Sequence, residues 1–228
     1  MTNEAGKSLK KMRKRVLKLS FKNFIIGSII FIVGVILVTQ KVSFLKSLGG
    51  FTMVLSLIYY IFGNFQLNKV DRIDYGYKGE IDVAKVLNEL PKDFKVINDI
   101  NVEDKFNIDH LVIGPTGVFV IETKNHKGVI TNIGDTLLIN NRLFEKDIIK
   151  QTLDESYYIK DKIKSSLNLN IFVKPVIVFA NPKAYVKSYE VKGVKTISIR
   201  MLKSYLLNQK TKIDSDYIEK IYNLFKNF

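Results

Sequence analysis

The N-terminal part of the chain contains two long runs without charge, flanked by basic residues. Residues 23–40 would span about 27 Å as a helix, against a bilayer hydrocarbon thickness of about 30 Å. Residues 47–68 form a second uncharged run, which would span about 33 Å as a helix. We predict a transmembrane helical hairpin over residues 23–68, followed by a short connector at 69–78.

A signal peptide is the alternative interpretation of the first run, because a basic segment precedes its apolar centre. No small-x-small cleavage motif follows Val38, and the second run would remain unexplained. Residues 1–22 contain eight Lys or Arg, whereas the connecting segment contains two. The positive-inside rule therefore predicts a multi-pass protein of the cell membrane with both ends in the cytoplasm, and a basic tail at 1–22 that contacts anionic lipid headgroups.

From residue 79 onward, helical and strand periodicities alternate. The helical spacing predicts helices at 79–90, 147–167, 201–208 and 214–228. The apolar runs predict strands at 94–100, 108–113, 118–123, 129–133, 137–139, 142–144, 173–180 and 194–199, with a polar loop at 102–106. We therefore expect an α/β domain over residues 79–228, with the strands between 129 and 144 extending its central sheet.

The candidate chemistry lies in one predicted hairpin, IDHLVIGPTGVFVIETK at 108–124. Its two apolar runs flank a Gly-Pro-Thr-Gly segment made of typical turn residues. If the turn closes symmetrically, facing residue numbers sum to 231, so that Asp109 faces Glu122. Strand alternation places Lys124 on the same face as Glu122.

Two carboxylates facing each other at about 5 Å repel by roughly 3 kcal/mol at an effective dielectric of about 20. A divalent cation bound by both would offset that repulsion, and oxygen ligands of this kind suit Mg²⁺ or Mn²⁺. Three alternatives stay open: the acids lie at a solvent-exposed hairpin end, Lys124 neutralises Glu122, or one carboxylate stays protonated. A one-residue bulge would also change the register.

Three stretches resemble the nuclease-related domain (NERD) family: GEIDVAKVLNELP at 79–91, NDI at 98–100 and IDHLVIGPTGVFVIETKNHKG at 108–128. That family is placed in the PD-(D/E)XK nuclease superfamily. The resemblance implies a restriction-endonuclease-like mixed β-sheet flanked by helices. Here the two-helix transmembrane hairpin would precede that sheet.

The resemblance also implies roles for individual residues. Asp109 and Glu122 would bind the metal, Lys124 would be the catalytic lysine, and Glu80 would be the acid from the first helix of the domain. Gln151 is a candidate supporting residue on the helix predicted at 147–167. For Glu80 the alternative is a first-turn acid that suits the helix dipole, and for Gln151 it is a solvent-exposed helix residue.

Charge and composition narrow the chemistry further. Half of the net charge of +14 lies in residues 1–22, so the basic excess is poor support for DNA binding by the α/β domain. The absence of cysteine excludes disulfides and thiolate metal sites. His110 is expected to pack away from Asp109, while His126 follows Lys124 and could reach a phosphate. A zinc site is not expected from two isolated histidines.

The sequence and the resemblance together predict a membrane-anchored hydrolase that cleaves phosphodiester bonds of nucleic acid with Mg²⁺ or Mn²⁺, with DNA as the first expectation. The alternative is a catalytically silent, membrane-tethered module that binds nucleic acid or protein on a nuclease fold. Small residues at 27, 28 and 34 would allow close helix approach, so a homo-oligomer or a partner protein is compatible with the sequence.

Overall fold

The structure is a computed structural model that describes residues 4–102 and 106–228. Its residues divide into two compact units. Residues 9–75 form one unit, and residues 76–228 form the other together with the described residues of the N-terminal segment up to Ser8. The polar loop predicted at 102–106 falls largely on residues 103–105, which lie outside the described part of the chain.

Two long helices account for the first unit: α1 (Lys7–Val38) and the first part of α2 (Ser43–Leu87). Both are long and apolar enough to cross a membrane, and only 11% of the most apolar stretch of each is buried. The two helices pack closely because small residues face the partner helix. A Cβ added to Gly34 would lie 2.6 Å from Met53 Cγ, and Ser20 Oγ donates to Gly63 O. Gly34, one of the small residues considered for oligomer contacts, is thus used within the chain.

The polar connector expected at 69–78 is helical instead. Helix α2 runs without a break to Leu87, through Gly76 and Gly79. An ion pair between Arg13 Nε and Asp74 Oδ1, at 2.7 Å, ties the two helices together in this polar region. Polarity at 69–78 therefore marks the end of the apolar surface and leaves the backbone conformation unchanged. Where one domain ends and the next begins stays a prediction.

A six-stranded mixed sheet forms the centre of the second unit, which confirms the predicted α/β class. Its strands are β1 (Lys95–Val102), β2 (Phe106–Gly114), β3 (Gly117–Lys124), β7 (Val173–Phe179), β9 (Glu190–Val191) and β10 (Val194–Ser198). They are ordered β1-β2-β3-β7-β10-β9, with β1, β2 and β3 antiparallel and β3, β7 and β10 parallel.

Helices cover both faces of this sheet. The helices of the second unit are the end of α2, α3 (Ile148–Leu167), α4 (Ile199–Leu207) and α5 (Ser215–Phe225). Apolar residues of α3 and α5 share a buried cluster with one face of the hairpin, including Leu111 and Val120. Val83 of α2 and Leu202 of α4 pack on the other face, against residues such as Ile121. Strands covered on both sides explain the nearly continuous apolar runs in the sequence.

The strands predicted between 129 and 144 do not extend the central sheet, and that expectation was wrong. They form a separate four-stranded sheet of order β6-β5-β4-β8. Its strands are β4 (Gly128–Ile133), β5 (Thr136–Ile139), β6 (Arg142–Leu143) and β8 (Ala184–Val186). The chain leaves the central sheet at Gly128, whose φ of +125° strongly favours glycine. The turn predicted at Asn140 and Asn141 is confirmed, with φ of 49° and 61°.

Candidate metal and phosphate site

The hairpin that carries the candidate acids has the predicted register. Ile113 pairs with Val118 and Leu111 with Val120, in agreement with numbers that sum to 231. Backbone pairing of the two strands ends at His110 and Ile121. The next position on β2 is Asp109, where the strands part and β3 continues its parallel pairing with β7.

The Asp109 side chain forms a hydrogen bond with the backbone where the two strands separate. Its Oδ2 accepts a hydrogen bond of 2.8 Å from the backbone N–H of Thr123, which has no ladder partner on β2. The carboxylate is buried, and burial, followed by the charges of Glu122 and Glu80, raises its pKa well above the usual range. A buried acid surrounded by other acids is unfavourable unless a proton or a cation is bound.

Glu122 and Lys124 lie two residues apart on β3, opposite Ile177 and Phe179 of β7. The Lys124 ammonium donates to Glu122 Oε1, so the two side chains form an ion pair. The second oxygen of Glu122, Oε2, is buried without a hydrogen-bond partner among the described residues. Burial lowers the pKa of Lys124, but the charges of Glu122 and Asp109 outweigh it and leave that pKa raised. Lys124 is therefore a fixed positive charge at neutral pH.

Glu80 comes to these residues from the end of α2, beyond the apolar part of that helix. It is buried, and its Oε2 has no hydrogen-bond partner in the described part of the chain. Burial, then the charges of Asp99 and Glu122, raises its pKa to about 8. A Cβ added to Gly6 would lie 3.4 Å from Glu80 Oε2, so the N-terminal segment contributes to this burial.

Helix α3 supplies a further acid that the sequence analysis missed. Glu155 is 0% exposed and accepts a 2.9 Å hydrogen bond at Oε1 from Gln151 Nε2. Its Oε2 has no hydrogen-bond partner among the residues described. Burial and then the charge of Glu122 raise its pKa to about 9. The available signal was Glu155 at the core-facing spacing of Ile159 and Ile163, four and eight residues later.

Gln151 thus contacts another acid of the cluster. The structure places Gln151 in the first turns of α3, as expected, and its amide group holds Glu155. It is partly buried, so the alternative of a fully solvent-exposed helix residue does not describe it. Its hydrogen bond fixes one oxygen of Glu155 and leaves the other oxygen free of hydrogen bonds within the described residues.

Asp99 is a second residue that the sequence analysis did not single out. It is buried with a φ of 57°, in a gap of the ladder between β1 and β2 opposite Asp109. Its Oδ2 accepts a 2.7 Å hydrogen bond from the backbone N–H of Ser8, and its Oδ1 accepts one from Asn107 Nδ2. The first described residues of the basic tail therefore pack against this unit, which the charge pattern could not indicate.

The histidines lie at the margin of this cluster. His110 is fully buried on the opposite sheet face, where its Nδ1 lies 2.8 Å from Asn98 Oδ1. Burial lowers the His110 pKa to about 3, so the ring is neutral and serves packing, as predicted. His126 is exposed, with its ring edge-on to Phe144 at 5.3 Å.

The donor set fits a hard divalent cation in its chemistry. Three carboxylates, those of Glu80, Glu122 and Glu155, each keep one buried oxygen without a hydrogen bond, and Asp109 lies beside them. Oxygen donors of this type suit Mg²⁺ or Mn²⁺. Within residues 4–102 and 106–228, no three His, Asp or Glu side chains are already arranged around a common metal position. These four acids, which we call the acid cluster, therefore have oxygen atoms suited to the metal, but the atoms are not arranged around one common position.

Comparison with known proteins supports the resemblance found in the sequence. The family model of the nuclease-related domain, NERD, matches residues 75–180, a little under half of the chain. NERD is generally placed in the PD-(D/E)XK superfamily, and the mixed sheet flanked by helices agrees with that placement. The match includes Glu80, Asp109, Glu122, Lys124 and Glu155.

A curated relative, an uncharacterized protein of Bacillus anthracis, is 43% identical over 60 residues. The aligned region covers 24% of this chain and 28% of the length of that relative. No solved structure matches the chain significantly. The comparisons therefore place a nuclease-related domain at 75–180 and leave activity, metal and substrate to be proposed.

Proposed function

We propose that the chain is a membrane-anchored, divalent-metal-dependent nuclease that hydrolyses phosphodiester bonds of nucleic acid. The observation that carries this proposal is the group of buried carboxylates beside Lys124. Each of Glu80, Glu122 and Glu155 keeps one buried oxygen without a hydrogen bond in the described structure. A stable fold does not gain from such a cluster, and the sequence around it matches a nuclease-related domain.

In this proposal Asp109 and Glu122 hold Mg²⁺ or Mn²⁺. A bound ion would neutralise phosphate charge and lower the pKa of water. Lys124 keeps its proton and places a positive charge where negative charge develops on the phosphate. Asp109 also holds the backbone N–H of Thr123, so that the ends of β2 and β3 stay in register as they separate.

The remaining polar residues of the site exchange protons or fix the local geometry. Glu80, with its pKa raised to about 8, can take up a proton near neutral pH, as a general base requires. Glu155 is held by Gln151 through one oxygen, and its other oxygen is buried without a hydrogen-bond partner among the described residues. We thus propose Glu80 as the acid that exchanges a proton and Glu155 as a residue that fixes the local geometry around Lys124.

A silent binding module is the second candidate, and one observation favours it. Lys124 and Glu122 neutralise each other directly, and no three acids or histidines of the described chain are arranged around a common metal position. Such a pair would satisfy the fold without a cation. Turnover is therefore what separates the two candidates.

The deciding experiment incubates the full chain in detergent with labelled DNA and labelled RNA, in Mg²⁺, Mn²⁺ or EDTA. We expect cleavage in either metal, none in EDTA, and a loss of at least about a hundredfold in Lys124→Ala and Asp109→Ala. Lys164→Ala and Asp161→Ala, on the exposed side of α3, are the matched controls and should keep activity. Nucleic-acid binding without cleavage would instead support the silent module.

The proposed topology places both chain ends in the cytoplasm, with α1 and α2 as the spans. Native cysteine is absent, so single cysteines introduced at Lys46 and Lys69 can be labelled without background. We expect an impermeant thiol reagent to label position 46 in intact cells and position 69 only after permeabilisation. Labelling of position 69 from outside would overturn the cytoplasmic assignment.

A further inference from the structure

The exposed side of β8 and the segment that follows it carry alternating lysines and tyrosines. Lys183, Tyr185, Lys187 and Tyr189 are exposed, whereas Ala184, Val186 and Ser188 between them are buried or partly buried. Tyr185 is 72% exposed and Tyr189 55%. We call these four exposed side chains the lysine–tyrosine strip. Burial alternates with a period of two from the turn at Lys183 through β8 to Tyr189, so the four side chains share the solvent side of this segment.

The backbone beneath the strip is fixed at several points. Lys187 N donates to Ile130 O at 2.9 Å, and Thr196 N donates to Tyr189 O at 2.9 Å. The Thr196 hydroxyl also donates to Ser188 O, and Ala184 and Val186 pack into a buried cluster. The strip is therefore a row of exposed side chains on a hydrogen-bonded backbone, and residues two apart are about 7 Å apart where the chain is extended.

The charge around the strip is strongly positive. Residues 181–212 contain eight Lys or Arg and one Glu, and this segment lies beyond the residues matched by the family model. Lys183 and Lys187 form no ion pair within the described residues, in contrast to Lys192, which pairs with Asp135. Two ammonium groups without an ion pair among the described residues, alternating with two exposed aromatic rings, suit a polyanion with flat apolar groups.

The strip begins next to the acid cluster. Ala180 N donates to Lys124 O at 2.9 Å, and Gly128 N donates to Lys183 O at 3.0 Å. Ala180, three residues before the strip, is thus hydrogen-bonded to the backbone of Lys124 at the end of β3, and Lys183, the first residue of the strip, to that of Gly128 at the start of β4. A linear ligand lying along the strip would have one end towards the C-terminal end of β3.

We propose that the lysine–tyrosine strip binds single-stranded nucleic acid and leads it to the acid cluster. The tyrosine rings stack on unpaired bases, and the lysines contact the phosphates between them. Paired bases in a duplex hide their faces in the helical stack, so a row of exposed rings favours a single strand. The part of this proposal in which the strand reaches Lys124 rests on the proposed function. Binding of the single strand to the strip needs no catalysis.

The test measures binding of labelled oligothymidylate by the full chain in detergent, with EDTA present so that no cleavage can occur. We expect Tyr185→Ala combined with Tyr189→Ala to weaken binding at least about twentyfold. The matched control replaces exposed Tyr157 and Lys164 on α3 and should leave binding unchanged. Replacement of both tyrosines by Phe keeps the rings and should restore binding.

The lysines are tested through salt dependence. Lys183→Gln with Lys187→Gln should reduce the slope of log affinity against log salt by about 1.4, since each phosphate contact on a single strand contributes about 0.7. An unchanged slope, or equal affinity for a blunt duplex of the same length, would overturn the proposal. The two lysine changes could instead abolish binding to anionic phosphatidylserine vesicles and leave oligonucleotide binding unchanged. That result would also overturn the proposal, in favour of a lipid surface as the ligand.

The inference and the proposed function fail in different ways. Strip-dependent binding in EDTA without cleavage in Mg²⁺ or Mn²⁺ would contradict the nuclease and support the strip. Metal-dependent cleavage of oligothymidylate that is unaffected by the tyrosine changes would contradict the strip and support the nuclease.

Discussion

The two sheets of the second unit place their unusual side chains in opposite environments. The six-stranded sheet is covered on both faces, and its Asp109 and Glu122 are buried, as are Glu80 on α2 and Glu155 on α3. The four-stranded sheet exposes Ile133, Leu143 and Tyr185, which ordinary folding would favour burying. One sheet thus contains acids where water is excluded, and the other displays apolar groups to water. Buried acids and exposed apolar side chains both reduce the stability of the fold, and both are typical of sites that bind a ligand.

The largest expected effect is the difference in stability loss between a substitution in the central sheet and one in the small sheet. Ile121 is 0% exposed in the central sheet, whereas Ile133 is 74% exposed in the small one. We expect Ile121→Ala to lower the free energy of unfolding by about 2 to 5 kcal/mol, because it leaves a cavity. Ile133→Ala should change it by less than about 0.5 kcal/mol. Denaturant unfolding in detergent measures both, and a comparable loss for Ile133 would show that the small sheet is covered.

A smaller effect, of opposite sign, is expected from Glu155→Gln. The folded chain holds a proton on Glu155, whose pKa is raised to about 9, that the unfolded chain releases near 4.5. Stability contributed by this proton is fully present below about pH 4.5 and is lost as pH rises through about 9, by at most about 1.4 kcal/mol per pH unit. Glu155→Gln should therefore be more stable than wild type by about 1 to 3 kcal/mol at pH 8.

The control for that prediction is Asp161→Asn on the exposed side of the same helix. It should change the free energy of unfolding by less than about 0.5 kcal/mol, because the side chain is exposed. A difference between Glu155→Gln and wild type that stays constant from pH 5 to pH 9 would show that Glu155 is ionised in the folded chain.

The smallest of these stability effects concerns the turn of the four-stranded sheet. Asn140 has a φ of 49°, and its Oδ1 accepts a 2.9 Å hydrogen bond from Val129 N. We expect Asn140→Ala to cost about 1 kcal/mol, since it loses this bond and the tolerance of asparagine for positive φ. Asn132→Ala is a control on β4, where the side chain reaches only the nearby Gly134 O. Equal losses of stability in Asn140→Ala and Asn132→Ala would show that the turn has no special role.

Sequence periodicity predicted most of the helices and strands and the hairpin, but it missed the short strands β8 and β9. Local information determined the register of β2 and β3, because a short turn and two apolar runs leave one symmetric pairing. It could not separate the two sheets, since strands β4 to β6 have ordinary strand patterns that do not show which strands they pair with. It also missed the helical conformation of 69–78, because a polar surface and a broken helix give the same pattern.

The candidate site was predicted from the sequence only where its residues are close along the chain. Asp109, Glu122 and Lys124 lie on one hairpin, so alternation alone brought them to one face. Glu155 and Asp99 reach the cluster through tertiary packing of α3 and through the gap in the β1 ladder. Glu155 fitted the core-facing stripe of α3, yet a polar residue in that stripe has many possible partners.

We expect the buried acids to hold protons that a divalent cation displaces when it binds. Calorimetric titration of the full chain with Mn²⁺ at pH 7, in two buffers of different ionisation enthalpy, counts the protons released on binding. The raised pKa values of Asp109, Glu80 and Glu155 predict release of about one proton or more per ion. Asp109→Asn should abolish the binding. A wild-type chain that binds no Mn²⁺, or binds it without releasing protons, would contradict the account.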